Sequence, residues 1–200
     1  MQFKVFEEGI EVNGQTVYAI ISGLGVFKTL SRKYLLEVGI GTEVNGELVL
    51  DKDAWYPQDK WLSAFERISK EIGDAPLFQI GESIPNNAKF PDNINNIEKA
   101  IMAIDVAYHM NHRKNGQLLY DTIQKISLEG IGTYGYEKIS NKSIIISVCN
   151  NPYPCAFDRG ILSAMAKKFA INASVVHDNS RPCRKNGNDS CTYIITWNTP

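Results

Sequence analysis

The four cysteines of this 200-residue chain, Cys149, Cys155, Cys183 and Cys191, all fall toward its C-terminal end. Cys155 sits in NPYPCAFDRG, and HDNSRPCRKNGNDSC holds His177, Cys183 and Cys191. Clustered thiols constrain a fold tightly, because they either cross-link or converge on a metal. The N-terminus, MQFKVFEEGI, has acidic residues where an export signal has its apolar core, so a reducing, cytoplasmic setting is expected. In that setting thiols point to a metal before they point to disulfides. Disulfide pairing and unligated thiols, buried as small hydrophobes, stay open as alternatives.

Cys183 and Cys191 are separated by seven residues, Arg184 to Ser190, in a polar loop containing Gly187 that can turn both sulfurs toward one point. The spacing is longer than that of a zinc knuckle. Tetrahedral zinc accepts three thiolates and one imidazole at about 2.0–2.3 Å, so Cys155, His177, Cys183 and Cys191 form the expected ligand set. Cys149 could take the place of His177, and Asp178 is a further oxygen donor. Cys149 continues the apolar run Ile144-Ile145-Ile146-Ser147-Val148, which favours simple burial.

Hydrophobic residues make up 44% of the chain and charged residues 22%, which suits a globular protein with a real core. Net charge is −1 with no basic stripe, so a nucleic-acid partner is not expected. No apolar run reaches the roughly 18 residues of a membrane span, so no membrane partner is expected either. P-loop, dinucleotide-binding, serine-hydrolase and zinc-protease signatures are absent from the sequence, and no catalytic residue is assigned.

Residues 1–50 read as strands, with Asn13-Gly14 and Asn45-Gly46 as hairpin turns. Residues 58–73 read as a helix burying Trp61, Leu62, Phe65, Ile68 and Ile72 and ending at Gly73. Residues 74–92, with Pro76, Pro85 and Pro91, read as a connector. The expected organisation is a β-hairpin-rich region with one helix over 1–80 and a ligand-binding domain over 81–200. A helix over 92–112 ends at Asn115-Gly116. Strands follow over 132–139 and 143–148, joined by Ser140-Asn141-Lys142. A helix over 158–169, a strand over 173–176 and a strand over 192–197 close the chain. Antiparallel strands around packed helices give an α+β class.

On the helix over 92–112, Met102, Asp105, His109 and His112 share a face separate from an isoleucine seam. Asp105 and His109 are four residues apart, so a carboxylate–imidazole bond is easy. Such a pair is either a polar anchor in a ligand pocket, a haem ligand or acid–base pair, or a satisfied histidine near a helix end. Trp55, Tyr56 and Trp61 form an aromatic group that packs a core or lids an apolar ligand. Asp105, Tyr108, His109 and Trp61 are the expected ligand-binding residues. Asp158 reads as a helix-start charge or cap.

Residues 130–197 resemble the 4-vinyl reductase (4VR) domain. The matching features are a strand pair, NPYPCAFDRG opening a helix, and CRKNGNDSCTYIITW, with two cysteines around a glycine-containing loop before a strand. That superfamily includes haem-NO-binding domains, sensor modules of phenol-responsive activators and tethering subunits of the TRAPP complex. In the phenol sensors cysteines and a carboxylate hold zinc. Carried over by position, the resemblance implies Cys155, Cys183 and Cys191 as ligands, with the carboxylate position near His177 or Asp178. It also implies a sensor-type binding module for a small apolar or aromatic molecule, with structural zinc and output through a homodimer contact or a partner. An enzyme acting on a small hydrophobic or tetrapyrrole substrate through Asp105 and His109, and a ligand-free adaptor, are the other readings.

Overall fold

The computed structural model describes residues 1–22, 28–88, 90–140 and 142–198. Its N-terminal part holds β1 (Ile10–Asn13), α1 (Gly14–Ser22), α2 (Lys28–Glu37), β2 (Thr42–Val44), β3 (Glu47–Val49) and β4 (Trp55–Pro57). Only the second expected hairpin forms. Asn45 and Gly46 have φ of 50° and 78°, both positive as the two-residue turn between β2 and β3 requires. At Asn13-Gly14 the chain instead enters α1, and Asn13 Oδ1 accepts a bond from the Gln15 amide at 2.8 Å. Gly14 serves close packing. A Cβ there would meet the carbonyl oxygens of Asp51, Lys52 and Ala54.

Next come α3 (Gln58–Glu71) and α4 (Asp74–Asn87). The apolar face of α3 is buried as its spacing requires, and Gly73, at φ 101°, turns its amide back onto the Ile68 and Ser69 carbonyls. The expected connector over 74–92 is largely α4, and a boundary after residue 80 falls inside that helix. Pro76 lies in the first turn, where no intrahelical N–H bond is lost, whereas Pro85 lies inside the helix and forgoes one. Tertiary packing then holds the helix. Gly81 of α4 and Gly160 of the later helix α6 (Cys155–Phe169) let the two backbones touch. A Cβ on either would overlap the other helix's carbonyl oxygen, from Phe157 or Phe78.

Helix α5 (Ile97–Met110) is capped by Asn96, whose side chain accepts from the Lys99 amide at 2.9 Å. It is shorter than the expected 92–112 helix. Asn115-Gly116 does not end it but makes a second positive-φ turn, between β5 (His112–Lys114) and β6 (Gln117–Leu118). A small hairpin, β7 (Tyr120–Asp121) and β8 (Ile126–Ser127), follows, then β9 (Thr133–Tyr134), β10 (Glu137–Lys138) and β11 (Ile144–Asn150). Asn141 of the expected turn lies outside the described residues. After α6 come β12 (Ser174–His177) and β13 (Cys191–Thr196).

All strand pairs among the described residues are antiparallel. One sheet runs β4-β1-β5-β6 and another β10-β11-β13-β12, with β9 also pairing β11. The inner face of the second sheet buries Ile145, Cys149, Cys191, Tyr193 and Ile195 completely. A single apolar core runs from Ile10 and Val12 through α3 to α6 and this sheet. The α+β class therefore holds. Among the described residues no helix is long and apolar enough to cross a membrane.

Candidate metal centre and apolar cavity

Three element ends and one loop meet at a point. Cys155 is the first residue of α6, His177 the last of β12, Cys191 the first of β13, and Cys183 lies in the loop between those strands. The ligand atoms of these four residues all lie within 4.8 Å of one another. Sulfur–sulfur distances are 3.1 Å for Cys155–Cys191, 3.5 Å for Cys155–Cys183 and 3.6 Å for Cys183–Cys191. All four cysteines are free thiols. His177 donates from Nδ1 to Asn179 Oδ1 at 2.8 Å, which leaves Nε2 as the other ring nitrogen. That Nε2 is buried and has no hydrogen-bond partner among the described residues. A buried imidazole nitrogen with nothing to bind is the state expected of a ligand atom.

The thiols are electrostatically linked. Cys155 holds its proton because it is hydrogen-bonded to Cys191 and buried. Cys191 is pushed down to about 3, first by that bond and then by the Arg184 guanidinium and amide. The chain's own start covers the site. Gln2 Oε1 accepts from the Cys155 amide at 3.3 Å, and the Met1 amino group donates to the Asn188 carbonyl at 2.9 Å. Cys149 faces Cys191 across the β11–β13 pair but stands outside the ligand group, buried beside the Ser147 hydroxyl. Asp178 also stands outside it, accepting from the Ser180 amide and hydroxyl in a tight turn.

Arg184 opens a single 3₁₀ turn, Arg184–Asn186, between two of the cysteines. Its guanidinium is fully buried and binds the Asp158 carboxylate together with the main-chain and side-chain oxygens of Asn151. Tyr134 donates to the same carboxylate at 2.6 Å. Asp158 is thus an inward-facing acid in the first turn of α6 and makes no cap. Arg184 was not legible as a site residue, because an arginine in a polar loop reads as solvated.

A cavity of about 130 Å³ lies among α4, α5 and α6. Trp61, Ile104, Tyr108, Tyr153, Phe157 and Met165 are among its walls. Of the four residues expected around a ligand, Trp61 and Tyr108 line it, while Asp105 and His109 are not among the described lining residues. The Asp105 carboxylate accepts from the Tyr134 amide at 2.8 Å and the Ser127 hydroxyl at 3.2 Å. His109 is buried and donates from Nδ1 to the Asp105 main-chain carbonyl at 2.8 Å, with the carboxylate farther off at 3.4 Å. The histidine in the cavity wall is His112. Its Nδ1 donates to the Tyr108 carbonyl at 2.7 Å, and its Nε2 accepts from the Tyr153 hydroxyl at 2.9 Å. Burial pushes its pKa down to about 4, so the ring is neutral.

No family model matches the sequence, and no curated protein matches it. Solved structures match the fold. An H-NOX protein from S. oneidensis in the Fe(II)NO ligation state superposes with a TM-score of 0.62 at 13% identity, covering 94% of this chain and 99% of that one. An oxygen-binding H-NOX domain related to soluble guanylate cyclases gives 0.60 at 14%, covering 94% and 96%. An H-NOX protein from K. algicida gives 0.59 at 14%, covering 94% and 97%. At such identities the likeness is one of fold. It corrects the extent of the resemblance drawn from sequence, which was confined to the last third. The shared fold takes in nearly the whole chain, including most of the first 80 residues. These neighbours belong to the haem-NO-binding branch of that resemblance, and they lend nothing to the 4VR or tethering branches.

Proposed function

We propose that this chain is a sensor-type small-molecule-binding module, in which a structural zinc braces the C-terminal unit and an apolar or aromatic molecule occupies the cavity. One helix carries the reading. α6 begins at Cys155 in the ligand cluster, and its Phe157, Ile161 and Met165 form part of the cavity wall. Three thiolates and an imidazole are a donor set that suits zinc, and four protein ligands leave no open position, which marks a structural centre. His177, held through Nδ1 by Asn179, can bind through Nε2 without losing another bond.

The neighbours' names point to haem iron, and the residues here do not fit that group. A cavity of about 130 Å³ compares with the roughly 150 Å³ cavity that takes benzene, and falls below the roughly 300 Å³ at which sites for larger ligands begin. Both nitrogens of His112 are engaged. No lysine or arginine is among the described lining residues to meet the carboxylates of a porphyrin.

Native mass spectrometry of freshly purified protein, prepared under reducing, chelator-free conditions, tests this. The expected result is one zinc per chain, with a small organic mass but no haem mass. Protein without zinc, or with stoichiometric haem and its visible absorption band, would overturn the proposal.

A further inference from the structure

The residues that line the cavity divide into a floor and a rim. Trp61, Tyr108, His112, Tyr153, Phe157 and Met165 are buried and form the floor. Ala88 and Ala107 are exposed, and Phe90, Ala103 and Asn111 are half-buried; these form the rim. The cavity therefore reaches solvent through a gap between two banks. One bank is α5, with Ala103 and Ala107 one turn apart on the same face. The other is the end of α4 and the residues after it, with Pro85, Ala88 and Phe90. Alanines on both banks leave open a space that longer side chains would fill.

Both banks are tied down. On the α5 side, Thr16 of α1 donates to Asn111 Oδ1 at 3.0 Å, and Asn111 donates to the Ala107 carbonyl at 2.8 Å. On the other side the tie comes from the last turn of α6. Lys168 Nζ donates to the Pro85 carbonyl at 2.8 Å and lies 4.9 Å from the centre of the Phe90 ring. Each contact has a physical reason. The Pro85 carbonyl is one of the last four of α4, which have no amide partner inside the helix. An ammonium is favoured there by the negative end of the helix dipole, and the face of the Phe90 ring attracts it as well. One cation thus holds two lining residues of the same bank.

This inference rests on the reading of the cavity as a ligand site. We propose that the gap between α5 and the end of α4 is the ligand's entrance, and that Lys168 positions its outer bank. While the ammonium holds the Pro85 carbonyl and the Phe90 ring, that bank stays against α6. When both contacts break, the bank moves away from the alanine face of α5 and the gap widens, as a lid segment does. Lys168 is not among the lining residues, so it sets how fast a molecule passes and not how well the floor holds it.

The test is a fluorine NMR exchange measurement on the full-length protein as purified. The probe is fluorobenzene, an apolar ring close in size to benzene. The measurement gives Kd and both rate constants. Lys168→Met keeps the aliphatic stem and removes the cation. Entry and exit should both accelerate by at least about threefold, the scale of one lost charge-assisted hydrogen bond, with Kd within about twofold of native. Lys168→Arg, which donates and meets the ring face in the same way, should restore the native rates. Ala107→Leu places a branched side chain in the gap from the opposite bank and should slow entry and exit together. Identical rates in the native, Lys168→Met and Ala107→Leu proteins would overturn the entrance and leave the ligand site standing. Faster exit alone in Lys168→Met, with Kd weakened in proportion, would overturn the positioning role, since the lysine would then act on the bound state. No binding of fluorobenzene to the native chain would overturn both this inference and the ligand-site reading beneath it.

Discussion

Arg184 and Asp158 form an ion pair in which neither side chain is exposed to solvent, and the same arginine donates its backbone amide to Cys191 Sγ at 3.3 Å. Asp158 in turn accepts from Tyr134, whose ring lines the cavity. A continuous buried polar chain therefore runs from the thiol cluster to the cavity wall. Burial works against the charged guanidinium, but the Asp158 carboxylate and the neighbouring cysteines outweigh it and raise its affinity for the proton. Such a pair is costly to bury and still more costly to break, because a lone charge then remains in a medium that solvates it poorly.

Removing one partner tests that statement. Arg184→Met is expected to lower the unfolding free energy by about 3–5 kcal/mol. The double variant Arg184→Met with Asp158→Leu should regain most of it, because no unpaired charge is left inside. Urea denaturation of the three proteins measures the difference. A loss under about 1 kcal/mol in the single variant would show that the pair behaves as a surface pair.

The ligand set separates His177 from Cys149. His177→Ala should weaken zinc binding at least about tenfold, and Asn179→Ala, which frees the ring, should weaken it by about 10–100-fold. Cys149→Ala should leave the zinc content unchanged. Competition against a chromophoric chelator reads all three. A Cys149→Ala protein without zinc, beside a His177→Ala protein that keeps it, would identify a four-thiolate site.

The contact between α4 and α6 depends on two glycines. Gly81→Ala and Gly160→Ala each place a methyl group against a main-chain oxygen of the other helix, from Phe157 and Phe78 respectively, and backbone cannot swing aside as a side chain can. Each is expected to cost about 1–3 kcal/mol or more. Thermal unfolding midpoints unchanged from the native protein would show that the helices part at no cost.

His112 gives stability a specific pH dependence. Its folded pKa is about 4 against an ordinary 6.5, so the unfolded chain binds the proton more readily. Its contribution is complete above about pH 6.5 and disappears as pH falls to about 4, amounting to about 3 kcal/mol. His112→Gln should show a shallower loss across that window. The native and variant proteins share the same thiol cluster, so the difference between their two pH profiles isolates His112. Parallel profiles would mean that His112 takes up its proton as readily in the folded state as in the unfolded one.

The sequence by itself determined much of the C-terminal unit. The convergence of Cys155, His177, Cys183 and Cys191 was legible because cysteine and histidine are few in this chain, and the strands and helix that carry them follow from local apolar spacing. The helix over 58–73 and its glycine stop were legible for the same reason. Only the tertiary structure decided the rest. Asn13-Gly14 has the letters of a hairpin, yet the carbonyls of Asp51, Lys52 and Ala54 press on Gly14 and the chain turns into a helix. Residues 74–87 have the prolines of a loop, yet contact with α6 through Gly81 and Gly160 makes them a helix. Asp105 and His109 have the spacing of a functional pair, yet Asp105 serves the Tyr134 amide and Ser127, and it is His112 that reaches the cavity. Arg184 acquires its role from burial alone. Burial depends on which distant segments pack together, and a local pattern of residues does not carry that information.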